Sequence, residues 1–267
     1  METLPAVRVR GAVLSRGNQV ALRVDGLDIE AGTVTALVGP NGSGKSTLLH
    51  AVAGLLDPRP GTVEVLGTTP AEARRRVAYV LQAVSVTEHL PVTVGEVVAM
   101  GRYASLGVLG RSGAADRALV AAAIDRLELG DLVRRHLGEL SGGQRQRALV
   151  AQALAHDAEL LLLDEPVTGL DLASMQRIRE VVAEERAAGR TVVVATHDLP
   201  EAQQADRVVL LAGRVVRSGT PAEAITRAGL AEAYGGRLLR LDGETVLLDD
   251  GAHHEHGAHD DHAGHPH

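Results

Sequence analysis

The 267-residue chain has no cysteine, no phenylalanine and no tryptophan, and only three tyrosines. Without cysteine it has no disulfides, no thiolate zinc sites and no cysteine nucleophile, a composition that fits a reducing compartment. Without aromatic rings the core must be aliphatic, and sites built on aromatic stacking or aromatic cages are all but excluded. Long apolar runs are missing as well. Leu160 to Leu163 and Val192 to Ala195 fall far short of the roughly 20 residues that cross a bilayer, so any membrane role requires a partner. Met1 to Arg10 alternates charged and apolar residues without the apolar centre of a secretory signal, which leads us to expect a cytosolic chain. Nor is there an excess of positive charge: 27 basic residues against 34 acidic ones leave −7, and no nonspecific nucleic-acid partner is expected.

What remains is a globular composition, 45% hydrophobic and 23% charged. Short Val- and Leu-rich runs predict strands at Val7 to Leu14, Thr33 to Val38, Thr62 to Leu66, Val77 to Leu81, Leu160 to Leu163, Thr191 to Thr196 and Arg207 to Leu211. Helical patterns lie between several of them, at Ser46 to Ala53, Gly142 to Ala155, Ala173 to Ala188 and Leu199 to Ala205. Alternating strands and helices predict an α/β fold with a parallel sheet covered on both faces. From about Glu88 to Leu140 the pattern changes to helix alone, with pieces at Val94 to Met100, Ala114 to Leu129 and near Asp131, and reads as an inserted helical subdomain. A helix and two short β segments, Arg237 to Leu241 and Thr245 to Leu248, are expected beyond Pro221.

Gly39 to Ser46 reads G-P-N-G-S-G-K-S, directly after one predicted strand and at the start of a predicted helix. Glycines let backbone N–H groups curl around phosphate oxygens, and the helix start adds positive potential. Lys45 can reach the outer phosphates, and the Ser46 hydroxyl can ligate Mg²⁺. Leu160 to Glu165, L-L-L-L-D-E, is an apolar strand ending in two acids. Alone it would be a strand capped before the turn at Pro166; beside a phosphate loop it offers Asp164 to magnesium and Glu165 as a base for water. Leu140 to Gln144 reads L-S-G-G-Q at a helix start, a second place for an anion, and Arg145, Gln146 and Arg147 follow.

These three motifs in this order resemble the ATP-binding subunits of ABC transporters, over residues from about Val7 to Leu211. The resemblance extends to Gln82 after a strand, to Gly169, Leu170 and Asp171 after the carboxylates, and to His197 after the Thr191 to Thr196 strand. It implies a P-loop NTPase (RecA-like) core with an N-terminal antiparallel β subdomain and the helical insertion, residues 1–250 forming one ATP-binding domain. It implies ATP and Mg²⁺ as cofactors. The nucleotide would be held by Gly39, Pro40, Asn41, Gly42, Ser43, Gly44, Lys45, Ser46 and Thr47, and by Ser141, Gly142, Gly143, Gln144 and Asp171. Magnesium would lie among Ser46, Gln82 and Asp164, with Glu165, His197 and Gln82 catalytic. It further implies a homodimer in which the loop of one copy faces Ser141 to Gln144 of the other, and transmembrane permease subunits as partners at the cytoplasmic face of the membrane. One departure stands out. Where the family usually places an aromatic residue to stack on adenine, Val13, Leu14, Ser15, Arg16 and Gly17 put Arg16, whose guanidinium plane can also stack on a base.

Pro91 to Tyr103, P-V-T-V-G-E-V-V-A-M-G-R-Y, resembles the same segment of zinc and manganese importer subunits, with siderophore and haem importers as relatives of similar pattern. A metal importer also implies an extracytoplasmic metal-binding protein. The alternative is a soluble non-transport ABC ATPase; such proteins carry two motif sets or a long coiled-coil insertion, and neither is present. Finally, residues 251–267 hold His253, His254, His256, His259, His262, His265 and His267 among Glu255, Asp260 and Asp261. Nothing there can form a core, so this tail is expected to be disordered without a ligand. Imidazole with carboxylate suits Zn²⁺. Three extended residues advance roughly 9 Å, so neighbouring histidines would have to fold together to share an ion. We expect several weak zinc sites; the competing reading is a solvated segment without function or a purification tag, which the interspersed residues disfavour.

Overall fold

The computed structural model describes residues 4–81, 91–106, 112–235, 238–241 and 244–247. Two long strands open the chain, β1 (Val7–Arg16) and β2 (Gln19–Ile29), paired antiparallel with Arg16 opposite Gln19 across the Gly17-Asn18 turn. Next come β3 (Val34–Val38), α1 (Lys45–Val52), β4 (Thr62–Val65), α2 (Pro70–Ala73) and β5 (Val77–Val80). The following stretch is helical in its described residues: α3 (Val94–Met100), α4 (Tyr103–Leu106), α5 (Ala114–Arg126) and α6 (Gly142–Ala155), with 3₁₀ turns at Gly130–Leu132 and Leu137–Glu139. Strands and helices then alternate through β6 (Leu160–Asp164), α7 (Leu172–Ala187), β7 (Thr191–Thr196), α8 (Leu199–Ala202) and β8 (Arg207–Leu211). The antiparallel strand β9 (Val215–Gly219), helices α9 (Pro221–Ala224) and α10 (Arg227–Tyr234), and the hairpin β10 (Leu238–Leu241) and β11 (Glu244–Leu247) complete the described chain.

The main sheet has the order β5-β6-β7-β3-β8-β9, parallel except for β9, and a second antiparallel sheet has the order β2-β1-β4. Every residue of β3, β6 and β7 is buried, as continuous apolar runs require when both faces of a parallel sheet are covered. The period of two then divides the side chains between two cores. Val34, Ala36, Val38, Leu161, Leu163, Val192 and Val194 pack on the helical side. Leu37, Leu160, Leu162, Val193 and Ala195 pack with α1 and the antiparallel sheet. The consequence is that β3 and β6 end side by side with β7, at the edge where their following loops meet. Leu162 lies in the middle of this support and is fully buried, so Leu162→Ala is expected to cost about 2–5 kcal/mol of stability. The check is a urea titration, with a lower midpoint and an unchanged slope.

Several sequence boundaries shift. β1 runs on to Arg16 because its pairing with β2 continues, through an irregularity at Leu14 and Ser15. β2 and β9 were not foreseen: β2 alternates buried and exposed positions over a polar stretch, Asp25 to Asp28, and β9 has no fully buried residue. α8 ends at Ala202 rather than Ala205, and α5 at Arg126 rather than Leu129. Between β5 and α6 no strand occurs among the described residues, as expected.

Candidate active site

The phosphate loop leaves the central strand β3 at Gly39 and enters α1 at Lys45. Its glycines are steric requirements. A Cβ on Gly39 would lie 2.2 Å from the Leu211 carbonyl oxygen, at the end of neighbouring β8, and one on Gly44 would lie 2.8 Å from the Leu22 Cβ, where the backbone also takes φ 104°. The loop is pinned by hydrogen bonds from the Ser43 N–H to the Pro40 carbonyl at 3.1 Å and from the Gly213 N–H to the Ser43 carbonyl at 2.9 Å. No side chain caps α1 at Gly44, so the backbone donors of its first turn are available to an anion.

Lys45 is 4% exposed. Its Nζ donates to the Gly39 carbonyl at 2.7 Å and the Pro40 carbonyl at 3.3 Å and lies 3.9 Å from Glu165 Oε1. The two carboxylates at the end of β6 have different surroundings. Asp164 is buried at the strand end, its Oδ2 accepting from the Tyr79 hydroxyl at 3.2 Å. Its Oδ1 is buried with no hydrogen-bond partner among the described residues. Glu165 takes φ 49°, an uncommon left-handed conformation for a residue with a side chain, and its N–H donates to the Ala195 carbonyl of β7 at 2.9 Å. Its Oε2 accepts from the Thr168 hydroxyl at 3.4 Å and stands 3.6 Å from His197 Nδ1. The carboxylate is thus turned into a cavity of about 490 Å³ whose lining includes Arg16, Gln19, Asn41, Lys45, Ser46 and Glu165.

The structure therefore brings together the loop Gly39 to Thr47 with Lys45, Ser46, Asp164, Glu165 and His197. Ser141, Gly142, Gly143, Gln144 and Asp171 form a second group that does not line this cavity. Ser141 caps α6, accepting from the Gln144 N–H at 3.2 Å while the Ser141 N–H donates to Gln144 Oε1 at 3.1 Å. Asp171 caps α7 by accepting from the Ser174 N–H at 2.8 Å, and that bond holds its carboxyl below the ordinary range. The two caps abut, since a Cβ on Gly143 would lie 2.3 Å from Asp171 Oδ2. Gln82 and the tail histidines lie outside the described residues.

Two residues escaped sequence reasoning. Tyr79 reaches Asp164 from β5, and its hydroxyl is pushed up by burial and by the neighbouring carboxylate. His50, on α1, meets the Tyr79 ring edge-on with centroids 5.7 Å apart and lies 3.2 Å from an Arg16 nitrogen. Burial, reinforced by Arg16, lowers the imidazole's pKa. Neither belongs to a local motif, and only the pairing of β5 with β6 creates the contact to Asp164.

For magnesium, the donor chemistry fits. A hydroxyl at Ser46 and a buried carboxylate oxygen without a hydrogen-bond partner at Asp164 are hard oxygen ligands of the kind that bind this ion together with phosphates.

A buried parallel sheet, a glycine loop entering a helix, and a paired Asp and Glu at the neighbouring strand end define a P-loop NTPase. The ABC transporter family model matches residues 22–168. The chain is 41% identical over 237 residues to the zinc transport system ATP-binding protein TroB of Treponema pallidum, covering 88% of this chain and 89% of that one. It is 41% identical over 211 residues to the manganese transport system ATP-binding protein MntA of Synechocystis, covering 78% and 81%. Among solved structures, the dimeric bacterial ABC transporter cassette MJ0796 is similar with a TM-score of 0.71 and 28% identity, over 80% of this chain and 98% of that one. The chain belongs to the ABC transporter family, as an ATP-binding and ATP-hydrolysing subunit. Among the described residues no helix is long and apolar enough to cross a membrane.

Proposed function

We propose that this subunit energises a membrane permease that imports a divalent metal ion, zinc in the first place and manganese in the second. The observation that carries this reading is the similarity to TroB over 88% of the chain. The subunit would sit peripherally at the cytoplasmic face of the membrane, with an extracytoplasmic metal-binding protein delivering the ion to the permease. Siderophore or haem import, or a non-transport ATPase, has no comparable support.

In this reading the loop N–H groups hold the phosphates and the Lys45 ammonium exchanges the Gly39 and Pro40 carbonyls for phosphate oxygens. Ser46, Asp164 and Gln82 would hold magnesium, which would offset the phosphate charge. Glu165 takes a proton from water as that water attacks the terminal phosphorus and ADP leaves, and His197 beside it orients the carboxylate and the departing phosphate. Ser141 to Gln144 and Asp171 do not line the cavity of their own chain, which supports their use by a second copy: two subunits related by a two-fold axis would enclose two ATP molecules. The test is transport in vesicles containing the permease and this subunit. Zinc should accumulate on addition of ATP, and with zinc and manganese offered together zinc should be taken up in excess. Uptake of neither ion contradicts the reading.

The His-rich segment 251–267 is proposed as a zinc-binding tail that senses or stores the ion. Deleting Gly251 to His267 is expected to leave ATP hydrolysis by the isolated subunit nearly unchanged, because all proposed catalytic positions precede it, and to remove most zinc bound at neutral pH. Histidine binds zinc only when neutral, so affinity should fall between about pH 7 and pH 5.5 as the imidazoles protonate around their ordinary pKa of about 6.5. Equal zinc bound by the full and shortened chains would contradict it.

A further inference from the structure

The two oxygens of the Asp164 carboxylate are treated differently. Oδ2 accepts from the Tyr79 hydroxyl at 3.2 Å, whereas Oδ1 is buried with no hydrogen-bond partner among the described residues. The residue is 3% exposed, and a buried carboxylate oxygen without a partner costs free energy that a bound cation offsets. Sheet geometry puts the tyrosine where it is. Tyr79 lies directly opposite Leu162 in the pairing of β5 with β6, and Asp164 follows Leu162 by two residues, so all three project from one face of the main sheet. That face is the one α1 covers, and Tyr79 packs against the core that Leu48, Leu49 and Leu162 share. The His50 ring, on α1, meets the tyrosine ring edge-on at an interplanar angle of 76°. His50 follows Ser46 by four residues, which places both on one side of the helix. Contacts therefore run from the helix that carries Ser46, through His50 and Tyr79, to the strand end that carries Asp164.

We propose, on the footing of the nucleotide and magnesium reading above, that Tyr79 is the positioning residue for Asp164: its hydroxyl occupies Oδ2 and so reserves Oδ1 for the cation. Without that hydroxyl the two oxygens are equivalent, and the carboxylate turns about its terminal bond, a torsion with broad preferences, until the ion itself imposes an order. A phenol suits this task better than a cation. Lys or Arg at this position would offset the carboxylate charge and compete with magnesium, whereas a neutral donor orients the group and leaves its charge to the ion.

Tyr79→Phe removes the hydroxyl and keeps the ring with its packing. Calorimetry of the full chain with ATP, once with saturating Mg²⁺ and once with EDTA, separates an effect on the metal from an effect on the fold. The affinity with magnesium is expected to fall about tenfold or more, while that in EDTA stays within about threefold of wild type. A merely structural role would lower both together. Because Tyr79 acts through Asp164, adding Tyr79→Phe to Asp164→Ala should change neither affinity further. The failures are distinct. If wild type binds ATP in neither condition, the nucleotide reading falls and this proposal with it. Wild-type binding that magnesium does not strengthen overturns the magnesium assignment through which Tyr79 acts. If magnesium strengthens wild-type binding but Tyr79→Phe keeps that affinity within about threefold, lowers both affinities equally, or weakens Asp164→Ala further, the positioning role of Tyr79 alone is overturned.

Discussion

Glu165→Gln is expected to bind ATP about as well as wild type and to hydrolyse it roughly 10² to 10⁴ times more slowly. The backbone sets where the side chain starts: Glu165 sits at φ 49° with its N–H bonded to the Ala195 carbonyl, and its carboxylate lies beside Thr168 and His197. The amide has the same shape and still accepts from the Thr168 hydroxyl, but it cannot take a proton from water. Lys45, 3.9 Å from Glu165 Oε1, keeps its loop carbonyls and its reach to phosphate. Phosphate release at saturating Mg-ATP is the measurement. A rate within threefold of wild type would remove Glu165 from the chemistry.

Lys45→Ala acts on the other half of the event. The ammonium is nearly inaccessible and bridges two carbonyls of the loop, so its loss removes the cation closest to the phosphates and leaves the Gly39 and Pro40 carbonyls without their donor. A charge-assisted hydrogen bond in a shielded site contributes about 1.5–3 kcal/mol, and more than one is lost on substitution. The affinity for Mg-ATP should therefore fall about a hundredfold or more by calorimetry, beyond whatever lowering of the melting temperature without nucleotide the unpartnered carbonyls cause. Unchanged affinity would refute the phosphate loop at Gly39 to Ser46.

The parts of the site that the sequence made legible are those whose chemistry is local. G-P-N-G-S-G-K-S after an apolar run states its own backbone path, and L-L-L-L-D-E places two acids at a strand end. What stayed hidden depends on the tertiary fold. Gly39 must be glycine because the Leu211 carbonyl, from a strand far along the chain, occupies the space of a Cβ. Tyr79 and His50 join the site only because β5 lies beside β6 and α1 lies against β1. β2 was unread because one of its faces is solvated and its sequence mixes polar with apolar residues, which masks the strand period. Gln82 and the seven tail histidines lie outside the described residues, and their roles rest on the motif order and on metal-ligand chemistry.

Among the described residues, the cavity of one chain is lined by Asn41 to Thr47, Glu165 and Arg16 but not by Ser141 to Gln144, and this supports the central proposal, that one chain carries half of each ATP site. Light scattering of Glu165→Gln with and without saturating Mg-ATP tests it most directly. We expect a species of twice the 27.9 kDa chain mass with ATP and a single chain without it. A mass of 27.9 kDa in both conditions, with ATP shown to be bound, would contradict it.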